Sequence, residues 1–165
     1  MCRSFRSKLK IYIDKQEKIP LDFSVGGSVS NVDVTHLPFG DYWCSYETGE
    51  TMPIVFERKA FGDLFGTLSG GMERFKRELE RAKQANFKLI IVIEGTLSEV
   101  LVGSPHSTVK GEQIVKTLNT LWVKYDIPHL YFPNRSEMKR QMIETWSAVG
   151  RNFKPTGVPS AKSAL

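Results

Sequence analysis

Cysteine is nearly absent from this chain: only Cys2 and Cys44 occur among 165 residues. Two thiols are too few for a disulfide framework or a cysteine-rich zinc site, and such usage fits a reducing, intracellular setting. Long apolar runs are missing as well. The longest aliphatic stretch, Leu89 to Ile93, falls far short of the roughly 20 residues that cross a bilayer. The basic N-terminus is not followed by an apolar segment, so neither a secretory leader nor a membrane anchor is expected. Histidine is sparse, and His36, His106 and His129 are scattered without ligand-like spacing. The pair Gly70-Gly71 lacks the spacing and the Lys-Ser/Thr ending of a phosphate-binding loop, and reads as a turn that opens a helix.

What is present is the composition of a soluble globular domain, 41% apolar and 25% charged, with room for a single core. The net charge of +5 suits an anionic partner such as nucleic acid. Its distribution is uneven. Arg3, Arg6, Lys8 and Lys10 load the first ten residues, and Arg135, Lys139, Arg140, Arg151, Lys154 and Lys162 outweigh Glu137 and Glu144 near the other end. After Gly150 the segment RNFKPTGVPSAKSAL is rich in Pro, Gly and small polar residues. We therefore expect one domain over 1–150 and a flexible basic tail over 151–165.

The periodicities order the elements. KLKIYID alternates polar and apolar residues and ends in Asp14, the pattern of a strand with an acid at its C-terminal end. Residues Lys15 to Ser30 carry Pro20, Gly26 and Gly27, and are expected to be irregular with at most one short helix. Two or three strands follow up to Lys59, the last two forming a hairpin over about Asp41 to Glu47 and Pro53 to Lys59, turned at Thr48-Gly49-Glu50. From Gly71, Met72, Phe75, Leu79 and Ala82 fall on one helical face, and Glu73 to Arg77 has the i,i+4 spacing of an ion pair. FKLIIVIEG reads as a strand covered on both faces, and Ile114, Leu118, Leu121 and Tyr125 as a helix. HLYF is a short strand, and Asn134-Arg135-Ser136-Glu137 opens a last helix with a capping-box pattern. Strands alternating with helices imply a three-layer α/β/α domain.

Four acids sit at or just beyond strand ends: Asp14, Asp41, Glu57 and Asp63. Taken alone, they are also what ordinary solvated strand ends look like. Lys59, however, stands two residues after Glu57, and period-two alternation puts both on one face of a strand while Arg58 points away. Hard carboxylate oxygens suit Mg²⁺ or Mn²⁺, which take one or two carboxylates together with water and substrate phosphate. An amine beside them can orient or deprotonate an attacking water. The chemistry to which this points is metal-dependent phosphodiester hydrolysis.

Gly40-Asp41, then Glu57-Arg58-Lys59, then three residues and Asp63, resemble the GD...ERKxxxD pattern of the XPF-type structure-specific endonucleases, within the PD-(D/E)xK nucleases. YIDKQEK is similar to that family's first strand and LIIVIEG to a later one ending in an acid. The resemblance implies a restriction-endonuclease-like mixed sheet flanked by helices. It also implies that Asp41 and Glu57 bind Mg²⁺, with Mn²⁺ as a substitute, and that Asp14 completes the acidic shell. Lys59 would activate water, Arg58 would engage the phosphodiester or brace the site, and Asp63 would orient Arg58 or Lys59. Gln16 stands where the family usually has Arg, Glu17 and Glu94 match by position, and GGMERFKRE echoes a family element through Arg74 and Glu78.

The implied substrate is branched or flapped DNA (3′-flap, fork or junction) in repair, recombination or replication. A four-way-junction resolvase and a catalytically inactive DNA-binding scaffold are the alternatives. Stand-alone versions resemble phage or mobile-element nucleases, and the setting would be a prokaryotic or phage-infected cytoplasm or a nucleus. The family commonly pairs through this domain, so a homodimer or heterodimer is implied, with an apolar strip on the last two helices as its face. Trp43, Trp122, Trp146, Tyr125 and Phe153 serve for base stacking, pairing or core packing, and helical spacing favours the core for Trp122 and Tyr125.

Overall fold

The computed structural model of the protein describes residues 8–153. Cys2, Arg3, Arg6, Lys154, Lys162 and the segment 154–165 lie outside that range.

The chain order is β1 (Leu9–Asp14), β2 (Val29–Thr35), β3 (Tyr42–Ser45), β4 (Ile54–Lys59), α1 (Phe61–Ser69), α2 (Met72–Gln84), β5 (Lys88–Glu94), α3 (Leu97–Val102), α4 (Gly111–Tyr125), β6 (His129–Phe132) and α5 (Arg135–Asn152). The six strands form one sheet in the order β2-β1-β3-β4-β5-β6. It is mixed: β3 runs antiparallel to β1 and β4, whereas the β1/β2, β4/β5 and β5/β6 pairs are parallel.

Period-two alternation makes the three layers. Along β5, Leu89, Ile91 and Ile93 join the core beneath α1, α2 and α4. Ile90 and Val92 turn to the opposite core, where α5 contributes Met138, Met142, Trp146 and Val149. A strand wedged between two such layers has no polar face, which is why its sequence reads as an unbroken apolar run. Trp146 anchors the second core. It is fully buried, donates its indole N–H to the Ile54 carbonyl at 3.0 Å and meets Phe56 edge to face.

Several expectations need correction. The stretch from Lys15 is not irregular to its end, because β2 begins at Val29 inside it. Helices α1 and α3 are additions. The first carries Gly62 and Gly66, which dilute its periodicity, and the second is six residues closed by a Thr96–Glu99 capping box. Glu73 pairs with Lys76 at 3.1 Å, not with Arg77. Trp122 and Tyr125 are not core residues, being 50% and 40% exposed. The buried stripe of α4 is Ile114, Leu118 and Leu121, and the next residue falls off its edge. Trp43, by contrast, is fully buried, stacking on Phe87 at 4.8 Å. Helices α3 and α4 expose Leu97, Leu101, Val102, Trp122, Val123 and Tyr125, whereas the apolar face of α5 is consumed by the core; Ile19, Val25, Val34 and Phe153 are exposed elsewhere. Among the described residues no helix is long and apolar enough to cross a membrane.

Replacing Trp146 by Ala removes a fully buried aromatic and strands the Ile54 carbonyl. Urea unfolding followed by far-UV CD should show a loss of about 3–5 kcal/mol.

Candidate active site

The acids are brought together by strand register. Tyr42 lies opposite Phe56 across β3 and β4, and Ile13 opposite Tyr42 across β1 and β3. One step further along the same rungs sets Asp14, Asp41 and Glu57 side by side on three neighbouring strands. Backbone bonds tie these strand ends together: the Asp14 N–H donates to the Asp41 carbonyl at 2.9 Å, and the Asp41 N–H to the Phe56 carbonyl at 2.9 Å. Residues opposed across a ladder point to the same face, so the three carboxyl groups face the α1/α2 side.

Gly40 makes the turn that delivers Asp41. Its φ is +67°, in the left-handed region, and a Cβ there would stand 3.2 Å from the Phe56 carbonyl oxygen. Its N–H donates to Glu78 Oε1 at 2.8 Å, which ties the turn to α2. Asp41 Oδ2 in turn accepts the Arg58 backbone N–H at 2.7 Å. Backbone and side-chain bonds thus hold this carboxylate from both sides.

Alternation along β4 then separates three consecutive charges. Lys59 shares the Glu57 face, with Nζ 2.5 Å from Glu57 Oε1 and 4.9 Å from the Phe75 ring centroid. Arg58 turns to the α5 side. There it pairs with Glu17 at 2.6 Å and Glu94 at 2.9 Å, and Glu94 also receives Arg135 from the first turn of α5 at 2.5 Å. Glu17 and Glu94 are therefore partners of an arginine network, and Arg58 is a brace on the far side of the sheet.

The Asp14, Asp41, Glu57 and Lys59 side chains line one cleft of about 690 Å³. Helix α2 contributes its other wall through Arg74, Arg77, Glu78 and Arg81. His36 lines the same cleft, with Nδ1 4.0 Å from Asp14 Oδ1. The sequence assigns His36 no chemistry, pairs Arg77 with Glu73 and gives Arg81 no role. The signal for the arginines was their i, i+3, i+7 spacing from Arg74, on one face of a helix. For His36 the signal appears only when β2 is laid parallel to β1. Asp63 stays outside the cleft, exposed in the first turn of α1, where an acid complements the helix dipole. Arg58 and Lys59 take their partners elsewhere, so no contact to Asp63 orients them.

Burial dominates the electrostatics. It pushes the Asp41 carboxyl well up from its ordinary range, against the Arg58 N–H that favours the anion, and Glu17 and Glu78 raise it further. Glu57 is raised in the same way, first by burial and then by repulsion from Asp41. For Lys59 burial works against the ammonium, yet Glu57, Asp41 and Glu78 more than offset it and hold the amine above its usual value. Glu57 Oε2 is buried and has no hydrogen-bond partner.

Two repelling acids, one with an orphaned oxygen, fit a hard divalent cation, whose charge would relieve both penalties. Among the described residues no three Asp, Glu, His or Cys side chains close on one point as metal ligands would. Asp41 and Glu57 form the close pair, and Asp14 lines the same cleft with its Oδ1 accepting the Gln16 N–H at 3.1 Å.

The ERCC4 domain family model matches residues 13–142. Solved structures share the fold, and two of them are of XPF. XPF from Aeropyrum pernix is 19% identical over 87% of this chain and 66% of that one, with a TM-score of 0.61. XPF from Aeropyrum pernix in complex with DNA is 18% identical over 93% of this chain and 70% of that one, also with a TM-score of 0.61. This chain thus spans about two thirds of each of those chains. No curated protein matches by sequence.

Two consequences are measurable. Asp41→Asn should stabilise the metal-free protein, because the wild-type acid, raised from 3.8 to about 7, loses folding energy as pH climbs between those values. Urea melts should show the gain absent near pH 4, growing toward pH 7 and full above it, on the order of 4 kcal/mol. Arg58→Ala leaves the buried Glu17 carboxylate without its guanidinium, and Glu94 with Arg135 alone, and should destabilise by about 3–5 kcal/mol. A loss below about 1 kcal/mol would contradict the brace.

Proposed function

The chain belongs to the ERCC4 domain family, and we propose that it is a metal-dependent endonuclease that hydrolyses phosphodiester bonds in branched or flapped DNA. The observation that carries this reading is the buried Asp41–Glu57 pair beside Lys59, open to a cleft whose far wall is arginine-rich. Structural likeness to XPF from Aeropyrum pernix in complex with DNA supports a nucleic-acid substrate.

Asp41 and Glu57 would hold Mg²⁺, or Mn²⁺ in its place, with Asp14 in the surrounding acidic shell; the bound ion supplies an acidified water and neutralises charge on the phosphate. The chain's own residues do the rest. Glu57 Oε2, lacking a donor, is the oxygen available to that cation. Lys59 is kept charged by its acidic neighbours, so its role is to orient the attacking water through Nζ–H and to stabilise negative charge growing on the phosphoryl oxygens. A proton abstraction by Lys59 would require the free amine, which its surroundings disfavour. Gly40 and Arg58 contribute through their backbone N–H groups, which keep the Gly40-Asp41 turn and the Asp41 carboxylate in place.

Selectivity would come from the shape of the DNA, since backbone contacts carry no sequence code. We further propose pairing with a second copy or a related subunit through the exposed α3/α4 face, and a role in DNA recombination, repair or replication.

Cleavage of end-labelled 3′-flap, 5′-flap, fork, four-way-junction and linear duplex DNA, with Mg²⁺ or Mn²⁺, tests the reading. Branched substrates should be cut in preference to linear duplex, and Asp41→Ala and Lys59→Ala should each lower the rate at least about 100-fold. A wild-type protein that binds the panel without cutting any member would shift the assignment to a non-catalytic scaffold.

A further inference from the structure

Arg74, Arg77 and Arg81 lie on one face of α2 and line the acidic cleft. All three are exposed, and among the described residues none forms an ion pair or a side-chain hydrogen bond. The acid best placed by spacing to neutralise Arg77 is taken: Glu73 pairs with Lys76. Glu78, the acid within the row, is turned to the Gly40 N–H. Three guanidinium groups are thus left without carboxylate partners beside a cleft whose carboxylates repel anions. A row of this kind needs an anion that brings its own alternating geometry.

Resting on the nuclease reading, we propose that the Arg74–Arg77–Arg81 row is the track for the sugar-phosphate backbone of the DNA strand entering the cleft, with Arg77 and Arg81 gripping phosphates beyond the one attacked. Seven residues of helix span about 10.5 Å. One strand of duplex DNA presents a phosphate about every 3.4 Å along its axis, so the row covers about three of them. The direction follows from the contacts of α2. Phe75 lies against Lys59 and Glu78 holds Gly40, so the reacting centre sits beside the first half of the helix. Arg81 is almost a turn beyond Glu78, and the track leads away from the centre toward the C-terminal end of α2. Guanidinium forks match phosphate bidentately, which suits a strand that must be held in register. Charge complementarity at the cleft therefore has two parts: acids for the cation, and arginines for the backbone that the acids alone would repel.

The test is fluorescence anisotropy of a labelled flap DNA in EDTA, from about 50 to 200 mM salt. Three variants are compared with the wild type. Arg77→Gln with Arg81→Gln should bind more weakly and flatten the log K against log salt slope by about 1.4 to 1.8, two phosphates' worth. Arg77→Lys with Arg81→Lys keeps both charges and should retain most of that slope. Lys116→Gln with Lys124→Gln removes equal charge from α4 and should leave the slope unchanged. Equal slopes for the wild type and the glutamine pair on α2, with wild-type binding intact, would overturn the track and leave the nuclease reading standing. So would an equal loss from the α4 pair, because bulk charge would then explain the effect. No binding by the wild type would overturn both readings.

Discussion

The alternation of Glu57, Arg58 and Lys59 along β4 is the constraint on which the rest depends. Three adjacent charges cannot share one environment inside a domain, and a strand resolves the conflict by sending neighbours to opposite faces. Glu57 and Lys59 go to the α2 side and pair with each other, while Arg58 goes to the α5 side and gathers Glu17 and Glu94. Each face is then charge-balanced locally. The strand can pass through the middle of a sheet because each charge leaves it beside a partner.

That solution is incomplete on one face. Asp41 adds a second carboxylate to the side where Lys59 is the one cation on the strand, so burial and repulsion leave both acids reluctant to ionise. The surroundings do not relax to relieve it. Gly40 is held by Glu78, Asp41 by the Arg58 N–H, and the strand rungs by the apolar cores above and below the sheet. Two acids held close by a fixed scaffold are costly to ionise unless a cation offsets the burial and the repulsion.

What was legible in the sequence was whatever local periodicity or spacing encodes. The alternating run before Asp14, the apolar run of β5 and the 3.6-residue stripe of α2 each state a burial pattern directly, and the hairpin between β3 and β4 followed from its turn. The placement of Glu57 and Lys59 on one face, opposite Arg58, needed nothing more than period two. Pairings that depend on tertiary choice were not legible. Glu73 has Lys76 and Arg77 both within reach, and the helix alone does not decide between them. Trp122 follows the last residue of a buried stripe, and a one-position difference on a helix turns a side chain by about 100°, from core to rim. His36 entered the cleft only through the parallel pairing of β2 with β1, a contact that spans an irregular loop with no pattern of its own.

Helix α2 satisfies two demands with one periodicity. Phe75, Leu79 and Ala82 fill the core, and Phe75 also lies against the Lys59 amine. Rotated from them around the same helix, Arg74, Arg77 and Arg81 face the cleft, with Glu78 between as the link to Gly40. The residues that bury the helix therefore fix the height and angle of the arginine row relative to the acids. Small changes in the apolar stripe would shift both walls of the cleft against each other. A residue such as Leu79, which touches no charge, is in this sense part of the geometry by which the acids and the arginines face one space.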